Sequence, residues 1–203
     1  MEKVNKLNNP LCRRCKLLFL GYGKNETKLI DFLIEKKCEV WHTSDKVVSF
    51  AGFDLIISFG YRHIIKKDTL NTAKRPIVNL HISYLPYNRG AHPNFWSFYE
   101  GTPSGVTIHH IDEGIDTGDI IYQKKVQFSS DEITFKQTYN RLINEIEQLF
   151  IENADNIIEG NYTPVKQLIK GTYHKVSDLP IDFNGWNSQI SEEIKRLKMC
   201  CSR

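Results

Sequence analysis

Two polar residues lie in an otherwise apolar segment, at a spacing that would let their side chains act together. Asn79 and His81 lie two positions apart in residues 76–83, which read as a β-strand, so both side chains project from the same face. A buried asparagine and histidine cost stability unless they are hydrogen-bonded or used. The pair lies near the carboxyl end of the predicted strand, and a polar loop, residues 83–90, follows it. We therefore favour a functional site over a hydrogen-bonded core pair.

A second concentration of polar residues occupies the loop at residues 112–119, which holds four carboxylates and two glycines. Its spacing does not fit an EF-hand calcium loop, which also lies between helices rather than strands. Asp112 and Glu113 fit a solvated turn. Asp116 is followed by Thr-Gly and is better placed for a role inside a site.

Two further loops follow predicted strands. Gly21 and Gly23 leave two interpretations open, because glycines there serve either to bring backbone amides to a phosphate or to form a tight turn. Arg62 and His63 lie in the loop at residues 60–65, where ligands of α/β proteins bind.

These loops belong to a regular succession of elements. Apolar runs predict strands, and spacing of three and four predicts helices. The predicted strands span residues 16–23, 38–43, 53–61, 76–83, 104–111 and 118–128, and the predicted helices span residues 24–37, 93–100, 134–158 and 188–199. This alternation predicts an α/β fold, a Rossmann-like, mostly parallel sheet with helices on both faces. The loops described above would then meet at the carboxyl ends of the strands.

Composition narrows the class of protein. The chain has 203 residues, 40% of them hydrophobic and 25% charged, with a net charge of +3, which argues against wholesale disorder and gives no reason to expect nucleic acid or membrane binding. We see no secretory signal and no membrane-spanning stretch. Five cysteines, an odd number, fit a reducing cytoplasm better than a disulfide scaffold.

No metal site is predicted. His109 and His110 are adjacent on a strand and point to opposite faces. Cys12 and Cys15 form a CxxC pair that only Cys200 and Cys201, in the terminal tail, could complete.

Residues 79–123 resemble the core of the folate-dependent formyltransferases, a family that includes glycinamide ribonucleotide, methionyl-tRNA and nucleotide-sugar N-formyltransferases. The resemblance extends more weakly over residues 16–179 and is closest to the nucleotide-sugar enzymes. The matching motifs are N-x-H at residues 79–81, S-x-L-P at 83–86, R-G at 89–90, P-x-x-W at 93–96 and G-V-T-I-H…D-x-G-x-D-T-G at 105–118. We accordingly divide the chain into an N-terminal extension (residues 1–15), a catalytic domain (16–170) and a C-terminal extension (171–203).

The resemblance assigns roles to particular residues. It implies that Asn79, His81 and Asp116 are catalytic. The implied pocket for the co-substrate, N10-formyltetrahydrofolate, comprises Arg62, His63, Ile64, Ile65, Ile111 and Asp112. On the substrate side we select Lys24, Arg89, Asn94 and Trp96, although Trp96 is as well explained as a core residue. Tyr22 and Lys24 depart from the small, Ser-rich phosphate loop of the ribonucleotide enzymes.

The chemistry of formyl transfer agrees with these residue types. Attack of an amine on a formyl group develops negative charge on oxygen, which the Asn79 amide can stabilise. His81 can take the proton of the amine or, if charged, help to hold the oxyanion. Asp116 can orient His81.

The acceptor that the resemblance favours is an amino-dideoxysugar on a nucleotide, which we expect to be dTDP. Glycinamide ribonucleotide formyltransferase and formyltetrahydrofolate hydrolase remain alternatives, and so does a non-catalytic binder on the same fold. Methionyl-tRNA is disfavoured, because about 33 residues follow Lys170, too few for the C-terminal barrel of those enzymes. We expect a homodimer, with the C-terminal region at its contact.

Overall fold

The computed structural model describes residues 3–130 and 133–200. Its elements in chain order are β1 (Asn5–Lys6), β2 (Lys16–Gly21), α1 (Leu29–Glu35), β3 (Glu39–Thr43), β4 (Leu55–Phe59), α2 (Lys67–Leu70), β5 (Val78–His81), β6 (Arg89–Gly90), α3 (Pro93–Glu100), β7 (Gly105–His110), β8 (Ile120–Lys125), α4 (Phe135–Glu159), β9 (Tyr173–His174) and α5 (Ile190–Cys200). None of the described helices is both long and apolar enough to cross a bilayer.

The described part of the chain forms a seven-stranded sheet in the order β1-β3-β2-β4-β5-β7-β8. Strands β2, β3, β4 and β5 are parallel, β7 runs antiparallel to β5, and β8 returns to the common direction. The predicted mostly parallel sheet is confirmed. From β2, the chain places β3 on one side of the sheet and β4 on the other. The carboxyl ends of β2 and β4 therefore border an open crevice.

Side-chain alternation divides the core between the two faces of the sheet. Leu17 and Phe19 of β2 belong to the larger cluster, under α1 and α4, whereas Leu18 and Leu20 face the smaller cluster with Phe50. Leu70 of the short helix α2 packs against the smaller cluster. Helices therefore cover both faces, as the sequence predicts.

Helix α1 begins at Leu29, five residues later than predicted. A buried carboxylate explains the delay. Glu147 on α4 accepts hydrogen bonds from the Thr27 hydroxyl (2.6 Å) and the Lys28 backbone amide (3.2 Å), and these contacts fix the preceding residues outside the helix.

The N-terminal residues join the sheet instead of lying outside it. Asn5 and Lys6 pair antiparallel with β3. The Asn8 side chain continues this ladder, since its amide donates to the Cys38 carbonyl and accepts from the Val40 amide. A polar side chain that replaces backbone pairing leaves no apolar periodicity, which is why the sequence gives no signal of this edge.

The C-terminal residues also pack onto the domain. β9 pairs in parallel with β6. Phe183 and Ile194 pack against a buried aromatic cluster that includes Phe95 of α3 and Phe135 of α4. Two-residue strands carry too little pattern to be predicted, and the tertiary pairing decides their conformation.

Candidate active site

Strand β5 carries the first two candidate residues into a large cavity. Val78 and Leu80 are buried in the core, and the alternate residues Asn79 and His81 line a cavity of about 1220 Å³. This cavity lies beyond the carboxyl ends of β4 and β5 and includes Tyr22 directly after β2, so it reaches the crevice that the strand order predicts.

Strand β7 adds His109, a residue that the sequence analysis considered only as a metal ligand. In the antiparallel register His109 lies opposite Asn79, and the Asn79 amide lies 3.0 Å from His109 Nε2. His109 Nδ1 lies 2.7 Å from the His110 carbonyl, so that nitrogen carries the proton. Nε2 is then the acceptor for the Asn79 Nδ2–H. Its position within the G-V-T-I-H motif was the available signal.

Asp116 completes the cluster from the loop after β7. Its backbone adopts the left-handed conformation (φ 52°), which is rare for a residue with a side chain. One carboxylate oxygen accepts a hydrogen bond from the Gly90 amide (2.8 Å) and lies 3.7 Å from His81 Nδ1. The other oxygen lies 3.5 Å from His109 Nε2. The structure thus brings Asn79, His81 and Asp116 together around a shared centre.

Burial and charge set the protonation of this cluster. Burial lowers the pKa of His81, an effect that the nearby Asp116 charge only partly offsets. Burial would raise the pKa of the Asp116 carboxyl, but His81 and the Gly90 amide hold it well below its usual range. At neutral pH the site therefore contains a neutral imidazole beside a carboxylate, the pair required for base catalysis.

All six residues expected in the co-substrate pocket line the same cavity: Arg62, His63, Ile64, Ile65, Ile111 and Asp112. Ile64 is 73% exposed, so this wall presents apolar surface to the opening. The Asp112 side chain accepts from the Gly114 amide and the Thr117 hydroxyl. It thus shapes the turn that leads to Asp116.

Of the four residues expected on the substrate side, one lines the cavity and three do not. Asn94 lines the cavity; its amide nitrogen donates to the Phe135 carbonyl (2.9 Å), while its buried Oδ1 has no hydrogen-bond partner among the described residues. Lys24, Arg89 and Trp96 do not line it. Lys24 forms an exposed ion pair with Asp31 (2.6 Å).

The other two have identifiable structural partners. The Arg89 guanidinium donates to Gln167, and the Gln167 amide donates to the carbonyls of Asp116 and Gly118. Arg89 thereby braces the loop that holds Asp116. Trp96 is buried and stacks on His174, with ring centroids 3.9 Å apart and planes at 8°, which favours the core interpretation left open by the sequence.

Where β2 ends and its loop begins, steric crowding explains why residue 21 is a glycine. Gly21 has a φ of 100°, and a Cβ there would collide with the Phe59 carbonyl oxygen. Tyr22 reaches the cavity instead of Lys24, and its hydroxyl lies 2.8 Å from that of Tyr139. The contacts support the tight-turn interpretation of this loop.

Within residues 3–130 and 133–200, no group of three or more His, Cys, Asp or Glu residues is placed to hold a metal ion. Cys12 is exposed, and the buried Cys15 and Cys38 thiols lie 3.4 Å apart. Cys201, which the sequence analysis named as a possible partner of the CxxC pair, lies outside the described residues.

Comparison with known proteins adds independent evidence. Residues 24–153 match the formyl transferase family model. The chain is 32% identical over 146 residues to a methionyl-tRNA formyltransferase of Clostridium tetani (71% of this chain, 46% of that protein). It is 30% identical over 142 residues to a dTDP-4-amino-4,6-dideoxyglucose formyltransferase of Mycobacterium tuberculosis (70% and 58%). The chain thus spans about half the length of these curated relatives.

A solved structure matches more completely. The formyltransferase PseJ from Anoxybacillus kamchatkensis superposes with a TM-score of 0.80 at 42% identity, over 87% of this chain and 96% of that chain. That crystal structure is a complex with UDP-4,6-dideoxy-4-formamido-L-AltNAc and tetrahydrofolate. The family model, the fold and the motifs agree: this chain belongs to the formyl transferase family, and its similarity extends to the sugar N-formyltransferases.

Proposed function

We propose that the protein transfers the formyl group of N10-formyltetrahydrofolate to the amine of a nucleotide-linked amino-dideoxysugar. The observation that carries this proposal is the convergence of Asn79, His81 and Asp116 on one large cavity, in a chain 42% identical to a formyltransferase whose complex holds a formamido sugar nucleotide.

The three residues divide the work of the reaction. Neutral His81 accepts the proton that the attacking amine releases. Asp116 orients that ring and stabilises it once it is charged. Asn79 Nδ2 carries two hydrogens, of which His109 accepts one, so the second remains for the oxygen on which negative charge develops.

The cavity fits the formyl donor. Its volume of about 1220 Å³ exceeds that of a typical single-ligand pocket, and so leaves room for a donor and an acceptor together. Ile64, Ile65 and Ile111 would hold the flat ring system by apolar contact, and Arg62 would attract the donor's carboxylates. When bound, the donor supplies an activated one-carbon unit.

Asn94 is the residue best suited to the amino sugar. A buried oxygen without a partner carries a desolvation cost that a ligand donor can remove. Asn94 Oδ1 has this property and lies on a cavity-lining residue. A sugar hydroxyl or the amine itself would supply the missing hydrogen.

An acceptor panel tests the proposal. We would incubate the full chain with N10-formyltetrahydrofolate and, separately, UDP- and dTDP-linked 4-amino and 3-amino dideoxysugars, glycinamide ribonucleotide and methionyl-tRNA, and follow products by mass spectrometry. UDP sugars are included because of the PseJ complex, and methionyl-tRNA because of the Clostridium relative. The expected product is a nucleotide sugar heavier by one CO.

Other outcomes would replace the proposal. Product from glycinamide ribonucleotide or methionyl-tRNA alone would assign a different acceptor, and loss of the formyl group to water would indicate the hydrolase. The dTDP carrier, the homodimer and the cytoplasmic location expected from the sequence stay predictions.

A further inference from the structure

Part of the cavity wall takes no role in the proposed chemistry. It comprises His92, Lys136, Lys175 and Trp186, which we call the Trp186 wall. The residues come from the start of α3, the first turn of α4 and the C-terminal segment. We propose that the Trp186 wall binds the nucleoside diphosphate of the acceptor, with Trp186 stacking on the base and the two lysines facing the phosphates. This inference rests on the proposed function and deepens it.

Trp186 has the anchoring expected of a stacking platform. It is 40% exposed and yet held from behind, since its ring packs edge-on against Phe183 (4.8 Å between centroids). Its carbonyl accepts a hydrogen bond from the Lys136 backbone amide (2.8 Å). A large aromatic side chain that is fixed before binding loses little entropy when a flat ring stacks on it.

His92 extends this aromatic surface. Its ring lies 5.3 Å from that of Trp186, at 39°. His92 is held in the left-handed conformation (φ 54°) directly before α3. Residues with a side chain seldom adopt this conformation, and it tends to persist at ligand sites where surrounding structure fixes it.

Charge distinguishes the Trp186 wall from other parts of the cavity lining. Lys136 and Lys175 are exposed on the Trp186 wall, and neither ammonium group forms an ion pair with a described residue. Two other lining residues, Asp112 and Glu113 on the loop after β7, are carboxylates. A diphosphate would be repelled by those carboxylates and attracted by the two lysines.

The test measures binding of UDP and dTDP to the full chain by titration calorimetry, together with the quenching of tryptophan fluorescence. We expect Trp186→Ala to weaken both nucleotides roughly ten-fold or more, because stacking of one base on an aromatic ring has an effect of this size, and Trp186→Phe to retain part of the affinity. The quenching should vanish in Trp186→Phe although Trp41 and Trp96 remain.

A double variant tests whether the two lysines bind the phosphates. Lys136→Ala with Lys175→Ala should weaken UDP and reduce the salt dependence of its binding, whereas uridine should be affected little. The matched control is Lys166→Ala with Lys170→Ala, which removes the same charge from exposed positions outside the cavity wall and should leave UDP binding unchanged.

Steady-state kinetics separate failure of this inference from failure of the proposed function. If sugar nucleotides are formylated but Trp186→Phe and the Lys136/Lys175 variant leave their KM unchanged, or raise the KM of the formyl donor instead, the Trp186 wall is not the nucleotide site. If the wild-type chain binds UDP and dTDP through this wall but formylates no sugar, the inference holds and the proposed function is wrong.

Discussion

At the scale of single residues, hydrogen bonds and nearby charges set the orientation and protonation of the histidines in the site. The His110 carbonyl fixes the proton of His109 on Nδ1, which leaves Nε2 to orient the Asn79 amide. His81 has Asp116 3.7 Å from Nδ1 and the Asn88 carbonyl 3.4 Å from Nε2. Both neighbours accept hydrogen bonds, so they stabilise the ring once it has taken a proton from the substrate.

The pH dependence of kcat/KM in Asp116→Asn tests whether Asp116 acts through His81. Burial lowers the pKa of His81, whereas Asp116 raises it. Removing the carboxylate should therefore lower the pKa of His81 further and shift the acidic limb of kcat/KM to lower pH. We also expect kcat to fall by roughly 10²-fold, because the base loses its orienting partner.

The matched control is Asp155→Asn, which removes an exposed carboxylate on α4 that pairs with Arg14 and Lys36. It should leave the acidic limb in place. An Asp116→Asn enzyme whose acidic limb stays where it is in the wild type would show that Asp116 does not act through His81.

At the scale of elements, the short β6–β9 pair holds the loop that carries Asp116. Gly90 of β6 donates its amide to Asp116 and pairs with His174 of β9. A Cβ on Gly90 would collide with the His174 carbonyl oxygen. The two-residue strands thus link the C-terminal segment to the Asp116 carboxylate.

Gly90→Ala should consequently impair both folding and catalysis. We expect a loss of more than about 2 kcal/mol in the free energy of unfolding, since strain at a positive φ adds to the collision, together with a lower kcat. Urea unfolding and steady-state kinetics measure the two effects.

Gly101→Ala is the control for backbone strain alone. Gly101 also has a positive φ (70°), but a Cβ there meets nothing within 4 Å. It should cost about 1 kcal/mol and leave kcat unchanged. Equal effects of the two substitutions on kcat would disprove the role assigned to the β6–β9 pair.

At the scale of the whole molecule, the C-terminal segment is part of the folded domain and of the cavity. Phe183 packs against Phe95 and Phe135, while Trp186 lines the cavity. The segment therefore supports the fold through Phe183 and, in our proposal, binds the acceptor through Trp186, although the sequence analysis assigned it to an extension.

Phe183→Ala should lower the free energy of unfolding by about 2–4 kcal/mol, because it removes aromatic contacts from a partly buried position. Ile181→Ala, two residues earlier and 99% exposed, should change it by less than about 0.5 kcal/mol. Urea denaturation of both variants decides the matter, and a Phe183→Ala protein as stable as Ile181→Ala would mean that this segment does not support the fold in solution.

Much of this architecture is predictable because the long elements have clear periodicity. Helix α3 spans Pro93–Glu100 and ends at Gly101 as the residues suggest, and Asn79 and His81 project together from β5. Lys24 and Trp96 were expected on the substrate side but do not line the cavity. Their partners, Asp31 and His174, are determined by packing. The sequence analysis considered His109 only as a metal ligand, because its contact with Asn79 depends on the antiparallel register of two strands, which the pattern of one strand does not encode.

The proposed function requires that Asn79, His81 and Asp116 carry out formyl transfer in this cavity. Its most direct test is single-turnover transfer from N10-formyltetrahydrofolate to the accepted amino sugar nucleotide by Asn79→Ala, with donor affinity measured on the same sample. We predict a rate lower by at least roughly 10²-fold and a donor Kd close to that of the wild type. An unchanged rate, or loss of donor binding equal to the loss of rate, would contradict the assignment.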